Sequence, residues 1–256
     1  MAFSLTASSI YVINDYKDIE ADRNHPEKKS RPLASGEVSK NTGLLLFTIL
    51  VTTGLILGYF TETRFFLILV VYFILNLFYS FGLKSISILD VFIVSIGFVL
   101  RVKGGGKIAS IYVTEWLTIM IFLLALFMAL AKRRDDILIK IQSGMDMRKS
   151  IKNYNLDFLT TTLSMISGII VVSYLIYTIA GNAQNLIESN KLYYTSIFVL
   201  AGMIRYNQII YVENKSGSPT DILYKDRFII GTLIGWVLCY FFLIYYEEFN
   251  FSKFFG

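Results

Sequence analysis

Long blocks of Leu, Ile, Val and Phe alternate with short polar connections along almost the whole chain. Seven apolar segments stand out, at roughly residues 41–61, 65–81, 86–102, 116–131, 158–180, 192–212 and 228–246. An eighth run, Met1 to Ile13, precedes them; as a helix it reaches only about 20 Å of a roughly 30 Å hydrocarbon core, so it spans only if the helix continues into the polar residues that follow. It carries neither a basic leader nor a small-residue cleavage site, and is expected to be a helix of the protein rather than a signal peptide. The pattern predicts an all-α, polytopic transmembrane helical bundle of about eight spans, with residues 1–256 as one domain.

Composition agrees: of 256 residues, 55 % are hydrophobic and 17 % charged. The single cysteine, Cys239, excludes an internal disulfide and leaves redox chemistry silent about the compartment. If the connections alternate between two sides of a membrane, seventeen Lys and Arg, from Lys17 to Arg227, fall on one side and five, Arg64, Lys103, Lys107, Lys191 and Lys253, on the other. That asymmetry puts the richer connections in the cytoplasm. It also explains the net charge of +5 without a nucleic-acid partner. The expected protein is integral to the cell (inner) membrane, with a cytoplasmic cap over a central cavity, because polar groups at membrane depth must face protein or water.

The chemistry concentrates in Asn14 to Gly36. Asn14, Asp15, Asp18 and Asp22 follow one another at spacings that bring the carboxylates to one side of a helix, a pattern suited to a divalent metal such as Mg²⁺. Arg23, Lys28, Lys29 and Arg31 come directly after, and cations of that kind hold phosphate. The competing interpretation is a solvated loop at a membrane face, with acids and bases paired for solubility. A second constellation, Tyr79-Ser80-Phe81-Gly82-Leu83-Lys84, closes an apolar segment on the same side; Lys84 alone would read equally well as a snorkelling anchor. Asp90 and Arg101 share one apolar segment, nearly three helical turns apart, and are expected on one stripe lining a cavity, against the plainer view of Asp90 as a helix-start acid and Arg101 as a residue reaching the far surface. Gly104, Gly105 and Gly106 read as a flexible connection, since no phosphate-loop signature accompanies them.

Lys132-Arg133-Arg134-Asp135-Asp136 is expected to end the helix begun near Trp116, either as a stop-transfer cluster or as phosphate ligands completing a metal site. Tyr154, Asn155 and Asp157 open the next span. Arg205-Tyr206, Ser216-Gly217-Ser218-Pro219-Thr220-Asp221 and Lys225-Asp226-Arg227 form the last polar group, where the serine-proline stretch is a turn and Asp221 an early-helix acid. His25, the sole histidine, has no partner for a metal or a triad and receives no role.

With these blocks in place, the NDxxDxxxD pattern of Asn14, Asp15, Asp18 and Asp22 resembles the first aspartate-rich motif of the UbiA superfamily of intramembrane prenyltransferases. The strings NDYKDIEADRNHPEKKSRPLASGEVS, YSFGLKSISILDVFIVSIGFVLRV, FLLALFMALAKRRDD and GSPTDILYKD resemble most closely its decaprenyl-phosphate phosphoribosyltransferase branch. The resemblance implies Mg²⁺-dependent transfer of 5-phosphoribosyl from phosphoribosyl diphosphate to a polyprenyl phosphate, releasing diphosphate and feeding cell-envelope polysaccharide synthesis. Asp15, Asp18 and Asp22 would then be the catalytic metal ligands. Asn14, Arg23, Lys28, Arg31, Tyr79, Lys84, Arg101, Lys132, Arg133, Arg134 and Asp135 would bind substrate. Where the superfamily usually carries a second aspartate-rich motif, this chain has the more basic Lys132–Asp136. The family also has a further helix, introduced by a segment similar to RPxQWxKN, ahead of the run leading into the first motif; the printed sequence has none, so it is expected either to begin late or to work with eight spans. Two other functions fit the same residues: transfer of a prenyl chain to an aromatic or other small acceptor, and non-catalytic binding or transport of a lipid phosphate. Homo-oligomerisation is left open.

Overall fold

The computed structural model describes residues 1–24, 28–143, 149–180, 191–214 and 219–245. His25, Arg148, Lys215, Ser216 to Ser218 and Lys253 lie outside the described residues. The described elements are all helices, with no strand among them. The chain divides into two compact units, Met1–Val113 and Thr114–Gly256.

The first unit contains α1 (Ala2–Arg23), the four-residue α2 (Pro32–Ser35), α3 (Lys40–Thr61), α4 (Thr63–Phe81) and α5 (Leu89–Ile108). Nothing breaks the helix between the apolar run and the acidic residues, so α1 carries both and extends through the motif. Its packing against α3 is close because Gly54 lacks a side chain: a Cβ there would fall 2.5 Å from Thr6 Oγ1 and 3.1 Å from the Ala2 carbonyl. Ala2, Phe65 and Leu69 form the core beside them, with Phe3 and Leu55 packed against it. Glu62 alone separates α3 from α4; its extended backbone ends one helix, and its carboxylate accepts the Phe65 N–H at 2.6 Å to start the next.

The expected flexible connection at Gly104–Gly106 is instead helix. α5 continues through it to Ile108, with Gly104 and Gly106 facing neighbours: a Cβ on Gly104 would already touch the Phe65 and Phe3 rings at 3.4–3.5 Å, and one on Gly106 would meet Val113 Cγ2 at 2.5 Å. Contact made possible by the missing side chain outweighs the roughly 1 kcal/mol per residue that glycine costs a helix.

The second unit contains α6 (Glu115–Ser143), α7 (Leu156–Ala180), α8 (Ser196–Tyr211), α9 (Pro219–Lys225) and α10 (Arg227–Tyr245). The segment expected at 192–212 opens with a 3-10 turn, Leu192–Thr195, before α8 begins. α7 is joined to its neighbours by polar contacts as well as packing: Asn207 donates to Ser167 Oγ at 3.0 Å, Tyr211 OH to the Thr160 carbonyl at 3.1 Å, and Trp236 Nε1 to Tyr174 OH at 2.6 Å.

Among the described residues, four helices are long and apolar enough to cross a membrane, over Lys40–Thr61, Thr63–Phe81, Glu115–Gln142 and Leu156–Ile179, and the apolar part of α10 is shorter. α5 is interrupted by Asp90, Arg101, Lys103 and Lys107, and α8 has 16 residues. Large apolar side chains such as Ile49, Ile56 and Phe60 on α3, and Leu233, Val237 and Phe241 on α10, are exposed, which in water would be unfavourable and in lipid is the expected outer surface.

Candidate active site

At 100° per residue, Asn14, Asp18, Asp22 and Asp15 occupy about 100° of arc on the last turns of α1. Two cations from later in the chain divide them. After the 3-10 turn Lys28–Ser30, the extended backbone of Arg31 starts α2 at Pro32, and Arg23 Nε donates to the Ala34 carbonyl at 3.1 Å, fastening α2 back onto α1. This return brings Arg31 Nη1 to 2.6 Å from Asp15 Oδ1 and 3.0 Å from Asp22 Oδ2. The other stripe meets Lys84, which follows Gly82 in the turn Leu83–Ser85. Its ammonium donates to both Asp18 oxygens at 2.6 Å and to Asn14 Oδ1 at 3.0 Å. Lys17 lies 4.5 Å over the Phe81 ring and closes the same junction between α1 and α4.

Asp22 is buried, whereas Asp15, Asp18, Arg31 and Lys84 all keep part of their side chains exposed. Asp15 lies past the apolar run of α1, and burial raises its carboxyl above the usual range; the Arg31 guanidinium opposes the shift, and the neighbouring Asp22 and Asp18 charges add to it. Carboxylate and amide oxygens are the donors Mg²⁺ prefers, so this set fits the metal in chemical type. Among the described residues, however, no three carboxylate, histidine or cysteine side chains converge closely enough to hold an ion. Arg31 and Lys84 pair with those oxygens instead.

The remaining predicted residues divide into those near this set and those committed elsewhere. Lys28 is close enough for its charge to act on Asp15. Tyr79 is half-buried at the end of α4, and its carbonyl accepts the Gly82 N–H. Arg101 does not reach the acidic turns. It donates to Tyr72 OH at 3.3 Å and lies 5.5 Å from the Phe3 ring, and Phe3 is about 18 Å along α1 from Asp15. Asp90 is fully buried while Arg101 is exposed, so the shared stripe expected from spacing is not one environment.

Lys132–Asp136 does not end its helix; α6 runs on to Ser143. Pairs within the helix, Lys132–Asp135 at 3.6 Å and Arg133–Asp136 at 3.4 Å, neutralise the cluster so that the turn can be buried. Arg134 reaches to the end of α8, donating to the Ile210 carbonyl at 2.7 Å and Asn214 Oδ1 at 3.2 Å, with Tyr211 beneath it at 5.5 Å. It satisfies a carbonyl that the helix leaves open. Arg205 is likewise occupied, by Asp226 at 2.7 Å, Gln208 at 2.7 Å and Glu213 at 2.9 Å. A cavity of about 780 Å³ opens beside Arg205 and Arg227 and contains none of the acidic-turn residues.

Residues 1–230 match the UbiA prenyltransferase family. The chain belongs to that family. It is 32 % identical to the decaprenyl-phosphate phosphoribosyltransferase of Mycolicibacterium smegmatis, over 93 % of this chain and 76 % of the relative. It is 30 % identical to the enzyme of the same name from Corynebacterium glutamicum, over 96 % of this chain and 74 % of that one. Its fold is that of a UbiA homologue from Archaeoglobus fulgidus solved with DMAPP and Mg²⁺, with a TM-score of 0.71 at 20 % identity over 92 % of this chain and 83 % of the homologue.

This UbiA-family protein is therefore a transferase and an integral membrane protein. The pairing of Lys84 with Asn14 and Asp18 was open in the sequence, since Lys84 also suited an anchor; the turn after Gly82 decides it. The partners of Arg134 were not foreseen. Their only signal was a long, always-charged side chain in a segment too apolar to leave it unpaired.

Proposed function

We propose that the protein transfers 5-phosphoribosyl from phosphoribosyl diphosphate to a polyprenyl phosphate of the decaprenyl type, with Mg²⁺, releasing diphosphate. The two bacterial relatives that bear that enzyme name support the substrates. The observation that carries the reading is the pairing on α1: four side chains with hard oxygens on one arc, each held by Arg31 or Lys84 from another element. Such a set can exchange partners without leaving charge bare. A metal–diphosphate brings a cation for the carboxylates and anionic oxygens for the guanidinium and ammonium.

Asp15, Asp18 and Asp22 would hold the metal and Asn14 would orient it; bound there, Mg²⁺ would supply charge neutralisation for the departing diphosphate. Arg31, Lys84 and Lys28 bind the anionic oxygens released to them. An oxygen of the lipid phosphate attacks the anomeric carbon, the bond from that carbon to diphosphate breaks, and its electron pair leaves with the diphosphate. The attacking phosphate is already anionic, so no general base is required and positioning supplies most of the acceleration. In the Lys132–Asp136 turn of α6, Lys132 is the cation with most side chain exposed and is the member of that cluster suited to a phosphate, with Asp135 beside it. Arg133 and Arg134 act structurally.

This reading treats residues 1–256 as one domain with about eight spans, puts the acidic turns at the cytoplasmic face of the cell membrane, and makes the product a precursor of cell-envelope polysaccharide. Protein in lipid, supplied with phosphoribosyl diphosphate, a polyprenyl phosphate and Mg²⁺, should release diphosphate only when the lipid is present, and Asp15→Ala should not. Turnover of a prenyl diphosphate with an aromatic acceptor, and none of phosphoribosyl diphosphate, would overturn the reading in favour of prenyl transfer. Lipid binding without release from either donor would make the protein a lipid-phosphate carrier.

A further inference from the structure

Several buried hydroxyls on the helices of this protein donate back into their own backbone: Thr6 to the Ala2 carbonyl at 3.1 Å, Ser9 to Thr6 at 2.7 Å, Ser95 to Val91 at 2.8 Å and Thr178 to Leu175 at 2.8 Å. Ser80 departs from that habit. It is 3 % exposed, and its hydroxyl has no hydrogen-bond partner. An unpaired buried hydroxyl is unfavourable and rare enough to require a reason.

Its position supplies one. Phe65, Leu69, Tyr72, Asn76 and Ser80 recur at helical spacing along one stripe of α4. That stripe is turned to α1, where Phe3 lies 4.5 Å from the Tyr72 ring and 6.5 Å from Phe65, and to α5, where a Cβ on Gly97 would meet Tyr72 at 3.6 Å. α1 and α4 run in the same direction, because Lys84 beyond the end of α4 meets Asn14 and Asp18 near the end of α1. Asn14 is about 16 Å along α1 from Phe3, and Ser80 is about 12 Å beyond Tyr72 and about 22 Å beyond Phe65 on α4, so Ser80 stands level with Asn14. The stripe thus ends in one neutral, unpaired donor at the height of the acidic turns, four residues before Lys84.

We infer that the Ser80 hydroxyl donates a hydrogen bond to an anionic oxygen of the donor's diphosphate, beside the Lys84 ammonium. The inference rests on the acidic turns being a diphosphate site, and adds to it a residue that binds through shape and donor position rather than charge. A hydrogen bond to a charged oxygen contributes roughly a tenfold effect on affinity.

The test uses full-length protein in detergent, with inorganic diphosphate and Mg²⁺ as the probe and thermal unfolding as the readout. Wild type should be stabilised by diphosphate. Ser80→Ala without ligand should unfold no lower than wild type, since it removes an unpaired polar atom, yet should need about tenfold more diphosphate for half of the stabilisation. The size-matched Ser80→Cys, a weak donor, should show the same displacement and covers the case of an Ala variant that fails to fold. In turnover, KM for phosphoribosyl diphosphate should rise about tenfold while KM for the lipid phosphate stays unchanged. An unchanged diphosphate midpoint in both variants, or no stabilisation of wild type by diphosphate, overturns the inference. The two proposals separate cleanly: Ser80-dependent diphosphate binding without phosphoribosyl turnover would defeat the transferase reading alone, and turnover with Ser80-independent diphosphate binding would defeat this inference alone.

Discussion

The acidic turns of α1 and the Lys132–Asp136 turn of α6 are built from the same residue types and behave as opposites. On α1 two of the three carboxylates, Asp15 and Asp18, are partly exposed while Asp22 is buried, and their cations come from other elements, Arg31 through a chain reversal and Lys84 from beyond α4. On α6, Arg133 and Asp136 are both about 4 % exposed and paired three residues apart on one helix, and Arg134 closes the end of α8. Pairs between elements that remain in contact with solvent can trade partners at small cost. Pairs within a buried turn cannot, because removing one member strands the other in a medium that does not solvate it. The two turns therefore differ in how free their charges are to change partners, which depends on how dry each pair is.

The comparison can be broken first at α1. Asp18→Ala should lower kcat by about 10²–10³ with unfolding temperature nearly unchanged; retained diphosphate release would remove the carboxylate from the reaction. Lys84→Ala should follow, with a loss of about 10–100-fold in kcat/KM for phosphoribosyl diphosphate and under about 1 kcal/mol in stability, read by steady-state kinetics beside thermal unfolding. Arg134→Ala should invert that pattern. Freeing the Ile210 carbonyl and emptying a buried site should cost about 2–3 kcal/mol in chemical denaturation, with activity per folded molecule retained. A specific activity that collapses in a folded Arg134→Ala protein would make α6 catalytic after all.

The smallest effect concerns pH. Asp226, in the junction between α9 and α10, accepts from Arg205 at 2.7 Å and from the Ile229 N–H at 3.0 Å, and the Arg205 hydrogen bond is the main cause that holds its carboxyl below its usual value. A depressed folded value means that the stabilisation is complete above the unfolded pKa of about 4 and disappears as pH falls through the folded one. Unfolding temperatures of wild type and Asp226→Asn should differ at neutral pH and converge in acid. A gap that persists in acid would show that the carboxylate's charge is not what Arg205 uses.

Much of this was legible along the chain. Apolar blocks gave most helices to within a few residues, because a helix that meets lipid must be apolar throughout and polar connections mark its ends. The arc of Asn14, Asp15, Asp18 and Asp22 follows from helical geometry alone. The misreadings share a cause. Gly104–Gly106 looked like a connection because glycine disfavours an isolated helix, and Lys132–Asp136 looked like a helix end because five charges disfavour burial one at a time. Contacts with Phe65, Phe3 and Val113 reversed the first expectation; the i,i+3 pairs, with no breaker after them, reversed the second.

By itself, then, the sequence determined an all-helical membrane protein and the arc of oxygens on α1, since both depend on periodicity and composition within one element. Tertiary structure decided which cations close that arc, that Arg101 stands at the other end of the unit, that Arg134 is committed to α8, and that Ser80 is buried without a partner. Those facts depend on which residues meet across 16, 66 or 76 positions of chain, and distance along a chain carries no information about distance in space until the helices have packed.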